Sequence, residues 1–168
     1  MTLPVRLRPE TPADAPFMLR LYASTREREL ANARWTLEQK AAFAQSQFEL
    51  QRVHYRTYFA QASFDVVLWE EEKVGRLYVY REGSEILIVD LAILPEWRGR
   101  GIGTVLLSGL ISEADASGRP VSLHVESENR ARTLYERLGF EPRDEKGPYL
   151  LLVRPPGKAG NNPAEEPL

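Results

Sequence analysis

Between residues 91 and 104 the chain reads LAILPEWRGRGIGT, an apolar run that passes into glycines at 99, 101 and 103 with arginines at 98 and 100. Glycine lets backbone approach a ligand closely, and the N–H groups at a helix start point outward where the helix dipole favours negative charge. Two arginines inside the turn add charge-assisted donors. Arg98, Gly99, Arg100, Gly101, Ile102, Gly103 and Thr104 therefore make a candidate anion cradle, and phosphate is the anion it suits. Two better-known phosphate loops do not fit. A Walker loop needs Gly-Lys followed by Ser or Thr, and a dinucleotide fingerprint needs G-x-G-x-x-G. ATP and NAD are disfavoured. The competing reading of the turn is a plain strand-to-helix connection.

Other reactive side chains are few. The chain has no cysteine, which excludes disulfides, thiol catalysis and Cys-ligated zinc. Only His54 and His124 could offer imidazole, so no metal is expected. A formal net charge of −2 gives no basis for nucleic-acid binding through bulk electrostatics. The N-terminus lacks the apolar core of a leader, and no run approaches a membrane span. The expectation is a cytoplasmic enzyme or binding domain. At 168 residues the chain suits one domain.

The elements that must position the cradle can be read from periodicity. A short strand is predicted over 5–8, then a helix opened by Thr11 as N-cap with Pro12 at its first position. A longer helix is predicted over about 37–59, its stripe made by Leu37, Ala41, Ala44, Phe48, Tyr55 and Phe59. Gln51 interrupts that stripe, and Gln47, His54 and Tyr58 sit close to it. These polar groups either line the stripe's edge or face a substrate. Strands follow at 64–69, 74–80 and 86–94, separated by charged turns, as in an antiparallel meander. The third is nearly all apolar except Asp90, and an ionised carboxylate there must be hydrogen-bonded, paired or open to a cleft.

The helix after the cradle carries Ile102, Leu106, Leu110 and Ala114, and Gly118 marks its end. A strand at 121–125 then implies a crossover and a parallel pair with 86–94. A further helix holds Ala131, Leu134, Tyr135 and Leu138 and is stopped by Gly139, with Phe140 folding back. A last strand is predicted over 149–153. Residues 155–168, with four prolines, read as a disordered tail after a domain of residues 1–154.

Two segments together resemble a known family. RGRGIG at 98–103 is similar to the acyl-CoA signature R/Q-x-x-G-x-G/A of the GNAT superfamily of N-acetyltransferases, and NRARTLYERLGF at 129–140 resembles its tyrosine-bearing helix. The order of elements fits over roughly residues 3–154. The resemblance implies an α/β (α+β) fold with a mixed, mostly antiparallel sheet of six or seven strands, flanked by about four helices. The strands at 86–94 and 121–125 would splay to admit acetyl-CoA, the implied co-substrate. Its pyrophosphate would lie on residues 98–104, and its pantetheine arm would pair with Leu91, Ala92 and Ile93. The Ile93 N–H would act as an oxyanion donor.

The implied reaction is direct acetyl transfer to a primary amine of a small molecule or protein. Tyr135 matches the family's general acid for the departing thiolate. An ammonium with a pKa of about 10.4 must lose a proton before it attacks. His124, Asp90 and Glu126 are the candidate bases, with ordered water as the alternative. The family's CoA-binding Asn usually lies seven residues before the tyrosine, whereas here Asn129 lies six before and Glu128 takes the seventh place. Asn129 either still reaches CoA or caps the helix. Gln47, Gln51, Tyr55 and Tyr58 are the candidate acceptor contacts, and their lack of an acidic cluster argues against a polycationic acceptor. Oligomeric state stays open, a homodimer being one option. The alternatives are a non-catalytic acyl-CoA-binding or regulatory module on this fold and a pure interaction domain.

Overall fold

The computed structural model describes residues 2–127 and 129–157; Glu128 and positions 158–168 of the expected tail lie outside the described residues. Seven strands form one mixed sheet: β1 (Val5–Pro9), β2 (Ser63–Trp69), β3 (Glu72–Tyr80), β4 (Ile86–Ile93), β5 (Val121–Glu126), β6 (Glu141–Lys146) and β7 (Tyr149–Arg154). Their order is β1-β2-β3-β4-β5-β7-β6. The described helices are α1 (Ala15–Thr25), α2 (Glu27–Ala31), α3 (Leu37–Tyr58), α4 (Ile102–Ser117) and α5 (Arg132–Arg137). Among the described residues no helix is long and apolar enough to cross a membrane.

The parallel pair is β4 with β5, in the register Ile86–Val121, Leu87–Ser122 and Ile88–Leu123. β4 then runs on for five residues to Ile93. The chain divides into two compact units, residues 1–78 with 90–100 and residues 79–89 with 101–168, so its boundaries fall within β3, within β4 and just before α4.

In the first unit the core is Met18, Leu21, Tyr22, Phe48, Val66, Leu68, Ala92 and Leu94, with Phe17, Leu19 and Trp97 packed against it. The expected helix at Thr11-Pro12 begins as a single 3-10 turn, Pro12–Asp14, before α1. Asp14 Oδ2 accepts from the Thr11 N–H at 2.8 Å and so closes the entry. The α3 helix starts where expected, but for another reason. A capping box fixes it: Thr36 Oγ1 accepts from the Gln39 N–H and Gln39 Oε1 accepts from the Thr36 N–H. Leu37, expected in the apolar stripe, is 85% exposed, and only Ala44 and Phe48 of this helix are buried. The short α2 was not expected.

In the second unit α4 buries Ile102, Leu106, Leu107, Leu110 and Ala114, and Gly118 ends it as predicted. β6 was not expected. Every residue of it is exposed and its pairing is with β7, so it is a charged sheet edge with no apolar alternation to announce it. Arg154 donates to Asp115 Oδ1 at 2.8 Å, and the Gly157 N–H donates to the same oxygen at 2.7 Å. Residues 155–157 of the expected tail are thereby tied down at Gly157.

Candidate active site

The cradle forms because the chain turns twice through backbone that side chains disfavour. After a 3-10 turn at Pro95–Trp97, Gly99 has φ +77° and Gly101, the residue before α4, has φ +86°. A Cβ at Gly99 would meet nothing within 4 Å, so its conformation, and not crowding, asks for glycine. No side chain caps the start of α4, which leaves the N–H groups of its first turn to a ligand. Arg100 stacks over the Trp97 ring at 4.5 Å and donates to the Glu96 carbonyl at 3.2 Å, while Arg98 Nε donates to the Ile93 carbonyl at 3.0 Å. Both arginines are exposed beyond those bonds. Gly103 serves packing: a Cβ there would lie 3.4 Å from Leu134 Cδ2. An uncapped helix start beside two exposed guanidiniums fits a phosphate-bearing group.

Leu91, Ala92 and Ile93 end β4. They are approached from β3 by Gly75, where a Cβ would fall 2.3 Å from the Ala92 carbonyl oxygen and 2.7 Å from Ile93 Cδ1. Any other residue at 75 would displace this stretch of backbone.

Asp90 is not a lone carboxylate. Its Oδ2 accepts from Arg76 Nη2 at 2.6 Å and from the Tyr55 hydroxyl at 3.0 Å, and Arg76 Nη2 also donates to Gln51 Oε1 at 2.9 Å. The Arg76 side chain is 2% exposed and that of Asp90 15%. Burial works against the Arg76 charge, yet Asp90, Tyr78 and Tyr55 outweigh it, and the guanidinium pKa ends above its ordinary value. Burial and the Asp90 charge push the Tyr55 phenol well above its ordinary pKa, with Arg76 opposing. The network continues through Tyr78, which lies edge-on to Tyr55 and donates to Glu10. Glu10 in turn pairs with Arg56 at 2.7 Å.

Of the expected acceptor contacts, Gln51 and Tyr55 are thus brought together with Asp90. Gln47 is half-buried one turn earlier and takes no part in the network. Tyr58 points outward, 69% exposed, with its ring 4.7 Å from that of His54. Arg76, Tyr78 and Glu10 were missed by the sequence reading. The available signal was Arg76 itself, a lone charge in the apolar run of β3 that matches the lone charge in β4.

The remaining candidates lie in the second unit. Tyr135, on α5, is 5% exposed, and its ring meets Phe140 edge-on at 5.6 Å. His124 and Glu126 are exposed on β5. Asn129 Oδ1 accepts from the Ala131 N–H at 2.8 Å, and Ala131 itself precedes α5, whose start has no side-chain cap.

The chain is similar to known proteins. The model of the acetyltransferase (GNAT) domain matches residues 55–142, over half the chain. An uncharacterized N-acetyltransferase of Methanocaldococcus jannaschii is 41% identical over 76 residues, 44% of this chain and 33% of that protein. The [ribosomal protein bS18]-alanine N-acetyltransferase of Haemophilus influenzae is 38% identical over 67 residues, 39% of this chain and 46% of its own length. The matches thus span less than half of these relatives. Among solved structures, the PaiA N-acetyltransferase of Thermoplasma acidophilum in complex with coenzyme A aligns with TM-score 0.69 at 15% identity, covering 92% of this chain and 99% of that one. An acetyltransferase of Thermus thermophilus aligns with TM-score 0.64 at 25% identity, covering 91% and 97%. The chain belongs to the GNAT acetyltransferase family.

Proposed function

We propose that the protein transfers an acetyl group from acetyl-CoA directly to a primary amine. The observation that carries this reading is the turn at 98–104, where left-handed Gly99 and Gly101 leave the start of α4 without a side-chain cap. Residues 98–104 would hold the pyrophosphate, and backbone at Leu91, Ala92 and Ile93 the pantetheine arm. Acetyl-CoA supplies the activated thioester carbonyl, and the Ile93 N–H would stabilise negative charge on its oxygen.

The chain's own groups then manage protons. Asp90 is the base that the surroundings favour, because it shares a part-buried cluster with Gln51 and Tyr55, whereas His124 and Glu126 are exposed on β5. The ammonium gives up one proton, and the neutral nitrogen forms the C–N bond as the C–S bond breaks. The Tyr135 hydroxyl protonates the departing thiolate and is reprotonated by the second amine proton, so one proton in all passes to solvent. The Haemophilus relative is named for a protein alanine, which makes peptide amines a first class of acceptor to assay.

The test is calorimetric titration of acetyl-CoA into the wild type and Gly101→Glu. Binding lost in the variant alone supports the reading, and absence of binding to the wild type refutes it. Binding without turnover on any amine would leave the acyl-CoA-binding module as the better description.

A further inference from the structure

Resting on the acetyl-transfer reading, we propose that Asp90, Tyr55, Gln51 and Arg76 form the seat for the acceptor's ammonium, with Arg76 as its positioning residue, and that this seat takes a primary amine bearing a single positive charge. One oxygen of Asp90 is fully engaged. Oδ2 receives both Arg76 Nη2 at 2.6 Å and the Tyr55 hydroxyl at 3.0 Å, and Oδ1 receives neither. A carboxylate offers lone pairs on both oxygens, and an ammonium brings three donors and no acceptor. Oδ1 is therefore the matching group for an incoming amine. The exposure is distributed to suit: Arg76 is sealed at 2%, and the carboxylate retains 15%.

Arg76 cannot itself reach a ligand, since it is enclosed; it acts through Asp90. Its guanidinium is aimed by Gln51 Oε1 at 2.9 Å and lies over the Tyr78 ring at 5.1 Å. Tyr55 stays a donor to Oδ2, because its phenol is held protonated. The carboxylate is thus fixed in one orientation before substrate arrives, which is the condition for a well-placed amine.

The charges of the cluster also select. Arg76 cancels Asp90, and Arg56 pairs with Glu10, which additionally accepts from Tyr78. Among the described residues, no carboxylate of this network is left over for a second cation. The second ammonium of a polyamine would therefore find no uncommitted carboxylate in this network to pair with.

The experiment uses the full chain with acetyl-CoA and follows CoA release with three probes: an Ala-Gly-Gly amide, an α-acetylated lysine amide and spermidine. The expected result is that at least one monoamine exceeds spermidine in kcat/KM by about tenfold or more, the scale of one charged hydrogen bond. Arg76→Met should raise that amine's KM about tenfold, leave the KM for acetyl-CoA unchanged, and be restored to within a few-fold by Arg76→Lys. Should Arg76→Met fail to fold, Tyr55→Phe should raise the amine KM about threefold or more by removing one donor to Oδ2.

Preference for spermidine overturns the proposal. So does an amine KM that is unchanged in folded Arg76→Met or, where that variant is unfolded, in Tyr55→Phe. Acetyl-CoA binding with no turnover of either monoamine also overturns it while leaving the cofactor reading in place. Failure of the wild type to bind acetyl-CoA removes the reading on which it rests.

Discussion

Arg76 Nη2 lies 2.6 Å from Asp90 Oδ2, and the arginine is the more deeply buried partner. Ion pairs of this kind contribute little net stability, because desolvation offsets attraction, yet breaking one leaves a buried charge without its partner. Arg76→Met should therefore destabilise the fold by about 3–5 kcal/mol. Pairing it with Asp90→Leu should recover much of that loss. Urea unfolding of the two variants against wild type checks both statements.

Asp14 gives the clearest dependence on acid. Arg8 grips both carboxylate oxygens at 2.8 and 2.9 Å, and with Lys73 and the Thr11 N–H it overcomes burial and holds the Asp14 pKa far below the ordinary carboxylate range. A depressed folded pKa stabilises above the unfolded value of about 3.9 and loses that contribution as pH falls below it. Thermal melts from pH 7 down to pH 2 should show wild type losing stability below about pH 4 more steeply than Asp14→Asn. At pH 7 the variant should be weaker by about 2 kcal/mol.

Gly75→Ala tests the approach of β3 to the end of β4. A methyl 2.3 Å from the Ala92 carbonyl oxygen forces that backbone to move. A displacement of about 1 Å at the reacting geometry costs on the order of a hundredfold in rate. Steady-state kinetics should show kcat reduced on that scale in a folded variant, and an unchanged kcat would contradict the assignment of residues 91–93.

Tyr135→Phe keeps the buried ring and its edge-on contact with Phe140 and removes only the hydroxyl. As the proposed general acid, its loss should lower kcat by about 10²–10⁴ with the KM for acetyl-CoA little changed. Calorimetric acetyl-CoA affinity equal to wild type would separate a chemical role from a structural one.

The cradle was legible because its signal is local: glycine spacing dictates backbone φ, and the next residues begin a helix. The strand order β3-β4-β5 and the crossover followed from the same logic of short turns and one intervening helix. What the chain did not announce was non-local or edge-on. Asp90 stood out as an exception in an apolar strand while Arg76 passed unnoticed in β3, and only the pairing of β3 with β4 makes them partners. β6 carries no apolar alternation, since an edge strand can be held by backbone bonds to β7 alone. Leu37 satisfied a periodic stripe on paper, but the capping box at Thr36 and Gln39 suffices to start α3 without burying it. Tyr58, three residues past Tyr55, is exposed beside the His54 ring, a placement the periodic stripe does not distinguish from that of Tyr55.

The shared grip of Asp115 on Arg154 and Gly157 bears on how the protein is handled. An affinity tag or fusion partner joined after residue 157 keeps both bonds. A gene truncated after codon 154 removes the Gly157 donor and leaves the Arg154 charge beside a new chain terminus, so expression plasmids for this protein are best ended no earlier than Gly157.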